Sequence, residues 1–218
     1  MSTPTWLDRL AAPQPDPGGG AAAGALLGVA AALASMVAGY STDWPNGPTP
    51  IAALRRRTEV IRARAADLVE ADGAASARFA AAFRLPETSP AQRRDRDAAI
   101  VAASIAAALT AVELGRAGLD LMPDLAALAT HGNPVVISDL GVAASSLAAA
   151  LRASVLMIEV DLACAARAGD SNGAGLPLRA AITTLDAAAT RAEAMSDRIR
   201  VRVRAEPESM TSVALARA

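Results

Sequence analysis

The chain has 218 residues, a formal net charge of -1 and a single cysteine, Cys164. That length suits one domain with a sizeable core, and the balanced charge offers no electrostatic pull toward nucleic acid or an anionic membrane surface. One cysteine excludes an intrachain disulfide, and with one histidine there is no Cys/His cluster for a metal. Every basic residue except His131 is Arg. No basic stretch precedes an early apolar segment, so no secretory signal is read and a cytoplasmic setting is expected.

Aromatic residues are 2% of the chain and Ala dominates, which favours helix over strand. The expected fold is all-α, an up-and-down bundle of long Ala-rich helices. "TWLDRLAA" reads as a short amphipathic helix with Trp6, Leu7 and Leu10 on one face. "PQPDPGGG" ends it. A helix from about Gly20 to Tyr40 follows. Its uncharged stretch 19–39 is long enough for a bilayer, but its Ala and Gly content suits a helix buried in a soluble bundle better, so no membrane is expected. After the loop "STDWPNGPTP", a helix runs from about Ile51 to Phe83, weakened at Gly73. "RLPETSPAQ" is a turn with Thr88 or Ser89 as N-cap and Pro90 in the first helical position. Helices are expected over about Pro90–Gly118 and Met122–Thr130, then Ile137–Ala168, then a last one to about Arg204. Residues 1–204 thus form one domain, and 205–218 read as a disordered tail.

Two turns stand out. In "PDPGGGAAAGALLG", Gly20, Gly24 and Gly28 recur every four residues and form a side-chain-free ridge suited to close helix packing, within the subunit or between two subunits. Gly18, Gly19 and Gly20 also expose amides at a helix start, which either cradle an anionic group or simply give a flexible entry. In "GNPVVISDLG", Asn133 and Pro134 make a turn, and Ser138 and Asp139 are both N-cap types. Asp139 is the one acid between Asp124 and Arg152. It reads either as a cap or as a general acid/base in a cleft of small residues. His131 is a loop histidine, solvated or a proton shuttle. Asp72 lies on a mostly apolar helical stretch beside Glu70, facing solvent or a site.

In order and spacing, "LDRLAAPQPDPGGGAAAGALLGVAAALASMVA", "FRLPET" and "GNPVVISDLGVAA" resemble the cyclodeaminase/cyclohydrolase family. This family includes the C-terminal domain of formiminotransferase-cyclodeaminase and bacterial methenyl-tetrahydrofolate cyclohydrolases. The resemblance runs from about residue 5 to residue 203. It implies an all-α homodimer acting on a tetrahydrofolate one-carbon adduct, with no metal and no organic cofactor. It implies Asp139 as acid/base and Gly18, Gly19, Gly20, Asn133, Ser138 and Asp72 as substrate-binding residues. The two motif turns are expected to converge around the ligand. Ala21 stands where the family has Ser. Met157, Glu159 and Asp161 stand where it often carries an Arg-containing stretch, which exchanges positive charge for negative and weakens attraction for an anionic folate tail. The alternative is a divergent non-catalytic dimeric bundle that binds another small anion or a protein partner.

Overall fold

Long stretches of Ala with few β-branched runs wind into helix, and Pro and Gly punctuate them. The computed structural model describes residues 5–205 except 15, 43, 46, 171, 172 and 174. The helices are α1 (Trp6–Leu10), α2 (Gly19–Tyr40), α3 (Pro48–Phe83), α4 (Pro90–His131), α5 (Ile137–Arg167) and α6 (Leu176–Ala205), with a 3₁₀ turn at Pro134–Val136 ahead of α5. Among the described residues there is no strand. The fold is the all-α bundle the composition implies. The expected disordered tail, beyond Ala205, lies outside the described residues.

Helix α5 packs against α2, α4 and α6, and α3 lies against α2 and α4. Side-chain positions give the directions. Gly19 of α2 faces Met157 of α5, while the other end of α2 bonds Asn133 just before α5, so these two helices are antiparallel. Gly20 lies against Asp72 and Gly39 against Arg55, so α2 and α3 are antiparallel too. The core between them is Leu and Ala: Leu27, Leu54, Leu121, Leu125, Leu140, Leu147 and Leu151 are all at 0–1% exposure. At roughly 25 cal/mol per Å², this apolar burial is the main stabilising term.

Several local features depart from the sequence reading. Trp6 and Leu10 are half-buried, but Leu7 is 67% exposed, so α1 lacks a fully buried face. Thr5 caps it in a capping box with Asp8. Ser89 forms the same box with Gln92 at the start of α4. The two helices expected over 90–130 are one. Pro123 sits inside α4 without ending it, even though its ring removes the amide that Leu119 would accept from. Packing holds the helix through this point: Gly118 lies against Leu151 and Leu147, and the adjacent buried Asp124 is bridged by Arg57 of α3. Helix α3 likewise runs through Gly73 unbroken, and the Asp16 side chain lies 2.7 Å from where a Cβ there would stand.

Helix α2 is not sheathed on all sides. Its inner face is buried, but Val29 is 47% and Tyr40 56% exposed. Helices α2 and α4, and the segment Pro134–Arg167, are long and apolar enough to cross a membrane by length and composition.

The Gly20/Gly24/Gly28 ridge settles within the subunit, against α3. A Cβ at Gly24 would stand 2.6 Å from Val69 Cγ2, whereas one at Gly28 would meet Ala65 Cβ at 3.8 Å, an ordinary contact. Gly28→Ala is therefore expected to raise unfolding free energy by up to ~1 kcal/mol through helix propensity. Gly24→Ala gains the same propensity but overpacks a stiff neighbour at a cost of about 1–3 kcal/mol, so its net effect is a loss. Urea titration of both variants checks the contrast.

Candidate active site at the start of α2

The N-cap of α2 is Gly18, whose missing side chain leaves the first-turn amides without a local acceptor. Asp72, reaching across from α3, supplies one. Its carboxylate accepts the backbone N–H of Ala21, capping α2 from outside its own sequence. The approach needs glycine: a Cβ at Gly20 would overlap the Asp72 carboxylate. A Cβ at Gly19 would stand 3.7 Å from the Met157 thioether, and Asp16 lies over Gly73, one residue beyond Asp72.

A second acid completes the cluster. Asp161 is half-buried on α5, one helical turn beyond Met157 on the same side. Burial pushes its carboxyl up to about 7, and the Asp72 charge adds to the shift. The carboxyl of Asp72 is also raised, first by burial; the Ala21 amide opposes this and the Asp16 charge adds to it. Burial is the first cause of both shifts, and the Asp72 charge, by disfavouring a second negative charge nearby, adds to that of Asp161. Such a pair suits acid/base chemistry near neutral pH. Among the described residues no group of three His, Cys, Asp or Glu side chains is arranged to hold a metal ion.

The sequence-derived candidates divide between two ends of the bundle. Gly18, Gly19, Gly20 and Asp72 come together here. Asn133, Ser138 and Asp139 lie at the opposite end. Residues 139 and 157 occupy one helix, roughly 27 Å apart at 1.5 Å per residue, so within one chain the two motif turns do not converge. Asn133 is occupied structurally. Its amide nitrogen donates to the Tyr40 carbonyl at 2.8 Å, its Oδ1 accepts from Val135 N–H at 3.0 Å, and its backbone N–H donates to Ser41 Oγ at 2.9 Å. The cap reading of Ser138 and Asp139 does not hold either. The 3₁₀ turn leads straight into α5, the N-cap is Val136, and Asp139 falls in the first turn, where its charge complements the helix dipole. Ser138 is exposed and Asp139 half-exposed. His131 ends α4, exposed, with its ring edge-on to Trp44 at 5.5 Å between centroids. Asp161 and Met157 enter the site although the sequence offered them only as departures. Their signal was helical spacing: an acid one turn from an apolar residue, both in phase with α2.

A family profile described as formiminotransferase-cyclodeaminase matches residues 2–166. The chain belongs to that family. Formimidoyltransferase-cyclodeaminase of Rattus norvegicus is 34% identical over 134 residues, 60% of this chain and 25% of that protein. The chain thus spans about a quarter of the rat relative. Methenyltetrahydrofolate cyclohydrolase of Methylorubrum extorquens is 31% identical over 160 residues, 72% of this chain and 77% of that protein. The crystal structure of formiminotetrahydrofolate cyclodeaminase from Thermotoga maritima superposes with a TM-score of 0.75, covering 91% of this chain and 95% of that one at 21% identity, and shares the fold.

The Asp161 shift has a consequence for stability. A carboxyl raised in the folded state binds its proton more tightly there than in the unfolded chain, so the group's contribution falls as pH rises from its ordinary 3.8 toward about 7. Asp161→Asn is expected to remove that part of the slope and to gain stability over wild type most at the upper end of the window. Melting temperatures of both proteins across this range check it.

Proposed function

We propose that this family member transforms a tetrahydrofolate one-carbon adduct at the start of α2, as a homodimer, with Asp161 as acid/base and Asp72 as its electrostatic partner. The observation that carries the reading is the pair of half-buried carboxylates set against the glycine-walled first turn of α2. In the hydrolytic version, Asp161 takes a proton from water as its oxygen adds to the methenyl carbon. It returns the proton to the ring nitrogen as the C–N bond opens, while the new hydroxyl loses its proton to solvent and becomes the formyl carbonyl. In the deaminating version, the neighbouring nitrogen attacks the formimino carbon and gives its proton to Asp161, which passes it to the leaving nitrogen as that nitrogen departs as ammonia. Both substrates are cationic amidines at the reacting carbon, and an acidic pair attracts that charge. The glycines leave room for the ligand's ring to approach the α2 backbone. Asp139 stays a second acid/base candidate, from the other end of α5.

The relatives' names support this substrate class: one acts in formimidoyl transfer and cyclodeamination, the other on methenyl-tetrahydrofolate. The test is decay of methenyl-tetrahydrofolate absorbance. Wild type is expected to exceed the uncatalysed rate, and Asp161→Asn to lower kcat by ~10²–10⁴-fold. A wild-type rate equal to the uncatalysed one removes the enzymatic reading.

A pocket of about 660 Å³ between α3 and α4, lined by Arg56, Arg57, Asp120, Val60, Ile61 and Leu119, with Arg57 bridged to Asp124, favours a second reading: a non-catalytic binder of a small polar molecule with an apolar body. If wild type gives no rate and Arg56→Ala weakens binding of 5-formyl-tetrahydrofolate ~10-fold by calorimetry, this reading replaces the first.

A further inference from the structure

The three glycines that open α2 do not share one reason for being glycine. Gly18 is the N-cap, in an extended conformation, and Gly20 admits the Asp72 carboxylate. Gly19 is helical and exposed. Among the described residues, a Cβ there would meet the Sδ and Cε of Met157, both at 3.7 Å, and no other side chain outside its chain neighbours within 4 Å. That is an ordinary contact, so alanine would fit at position 19 and add helix propensity. The packing of one chain does not call for glycine here. What the missing side chain does is leave the tip of Met157 uncovered beside the first turn of α2.

Met157 is suited to that opening. It is half-buried and packs against the core, and its thioether reaches the α2 turn. A thioether is flexible and polarisable, and it rests favourably against an aromatic ring. Asp161 follows four residues later, so the two side chains lie on one ridge of α5, about 6 Å apart along the axis. A tetrahydrofolate adduct fits that interval. One of the two nitrogens that bracket its reacting carbon carries an aryl ring, and bond lengths put the far edge of this ring roughly 5 Å from that carbon. With the carbon at Asp161, the ring falls at Met157, against the bare backbone of Gly19. One turn further along the ridge stands Ala153, whose small side chain leaves the ring room to lie flat.

We propose that Met157 is a specificity-determining residue of the site: its thioether, left open by Gly19, is the surface on which the aryl ring of the folate adduct rests while Asp161 faces the reacting carbon. The assignment rests on the folate reading for its ligand. A ring contact of this kind holds ground state and transition state alike, so its loss falls on KM rather than on kcat.

Met157→Ala is expected to raise KM for methenyl-tetrahydrofolate about tenfold, with kcat changed by less than about twofold. Met157→Leu restores an apolar surface of similar volume and is expected to bring KM back to within about threefold of wild type. Gly19→Ala is expected to melt no lower than wild type yet to raise KM, because the new methyl covers the thioether. p-Aminobenzoylglutamate carries the aryl ring without the reacting carbon. It is expected to inhibit wild type competitively and Met157→Ala about tenfold more weakly. With methionine methyls labelled for NMR, the Met157 resonance, identified by its absence in Met157→Leu, is expected to move upfield on adding 5-formyl-tetrahydrofolate, through the ring current. A wild-type KM in Met157→Ala, or a Met157 methyl that stays in place while calorimetry shows binding, overturns the assignment and leaves the folate reading standing. A wild type that neither binds 5-formyl-tetrahydrofolate nor turns over methenyl-tetrahydrofolate overturns both.

Discussion

The contact on which the rest of the structure depends is the carboxylate of Asp72 on the open first turn of α2. Gly18 offers no side chain to cap that helix, and Gly20 offers no Cβ to keep a neighbour away. An acid from α3 therefore reaches the Ala21 amide. The contact fixes the register of α2 against α3, and Gly24 against Val69 continues it one turn further. It also half-buries a charge, which is costly unless it is hydrogen-bonded or shares a proton. The Asp72 charge is felt by Asp161 on α5, whose carboxyl burial already pushes up to about 7.

The helical class, the placement of most helices and the importance of the glycine run were legible in the sequence, because Ala content, Pro/Gly punctuation and four-residue spacing act locally. The Ser89 capping box was readable for the same reason. What failed was non-local. The break expected between Gly118 and Met122 does not occur: packing at Gly118 and the Arg57–Asp124 bridge carry α4 through it, with Pro123 inside the helix. Ser138 and Asp139 looked like caps by residue type, yet a 3₁₀ turn begins the helix ahead of them.

The site was half legible. Gly18, Gly19, Gly20 and Asp72 were named from sequence, and the bundle brings them together. Asp161 was read as a negative charge that weakens folate attraction rather than as a site acid, since only the packing of α2, α3 and α5 brings it within electrostatic reach of Asp72. Motif order along the chain suggested that the Asp139 turn would join the glycines. Helix length forbids this inside one subunit, because residues 139 and 157 stand roughly 27 Å apart along α5.

The most direct test of the central claim is a carbon-detected NMR titration of the aspartate side chains in the native protein. The account predicts that Asp161 titrates at about 7 and moves downward when Asp72 is replaced by Asn, because the repelling charge is gone. An Asp161 carboxyl that titrates near its ordinary 3.8, indifferent to Asp72, would contradict it.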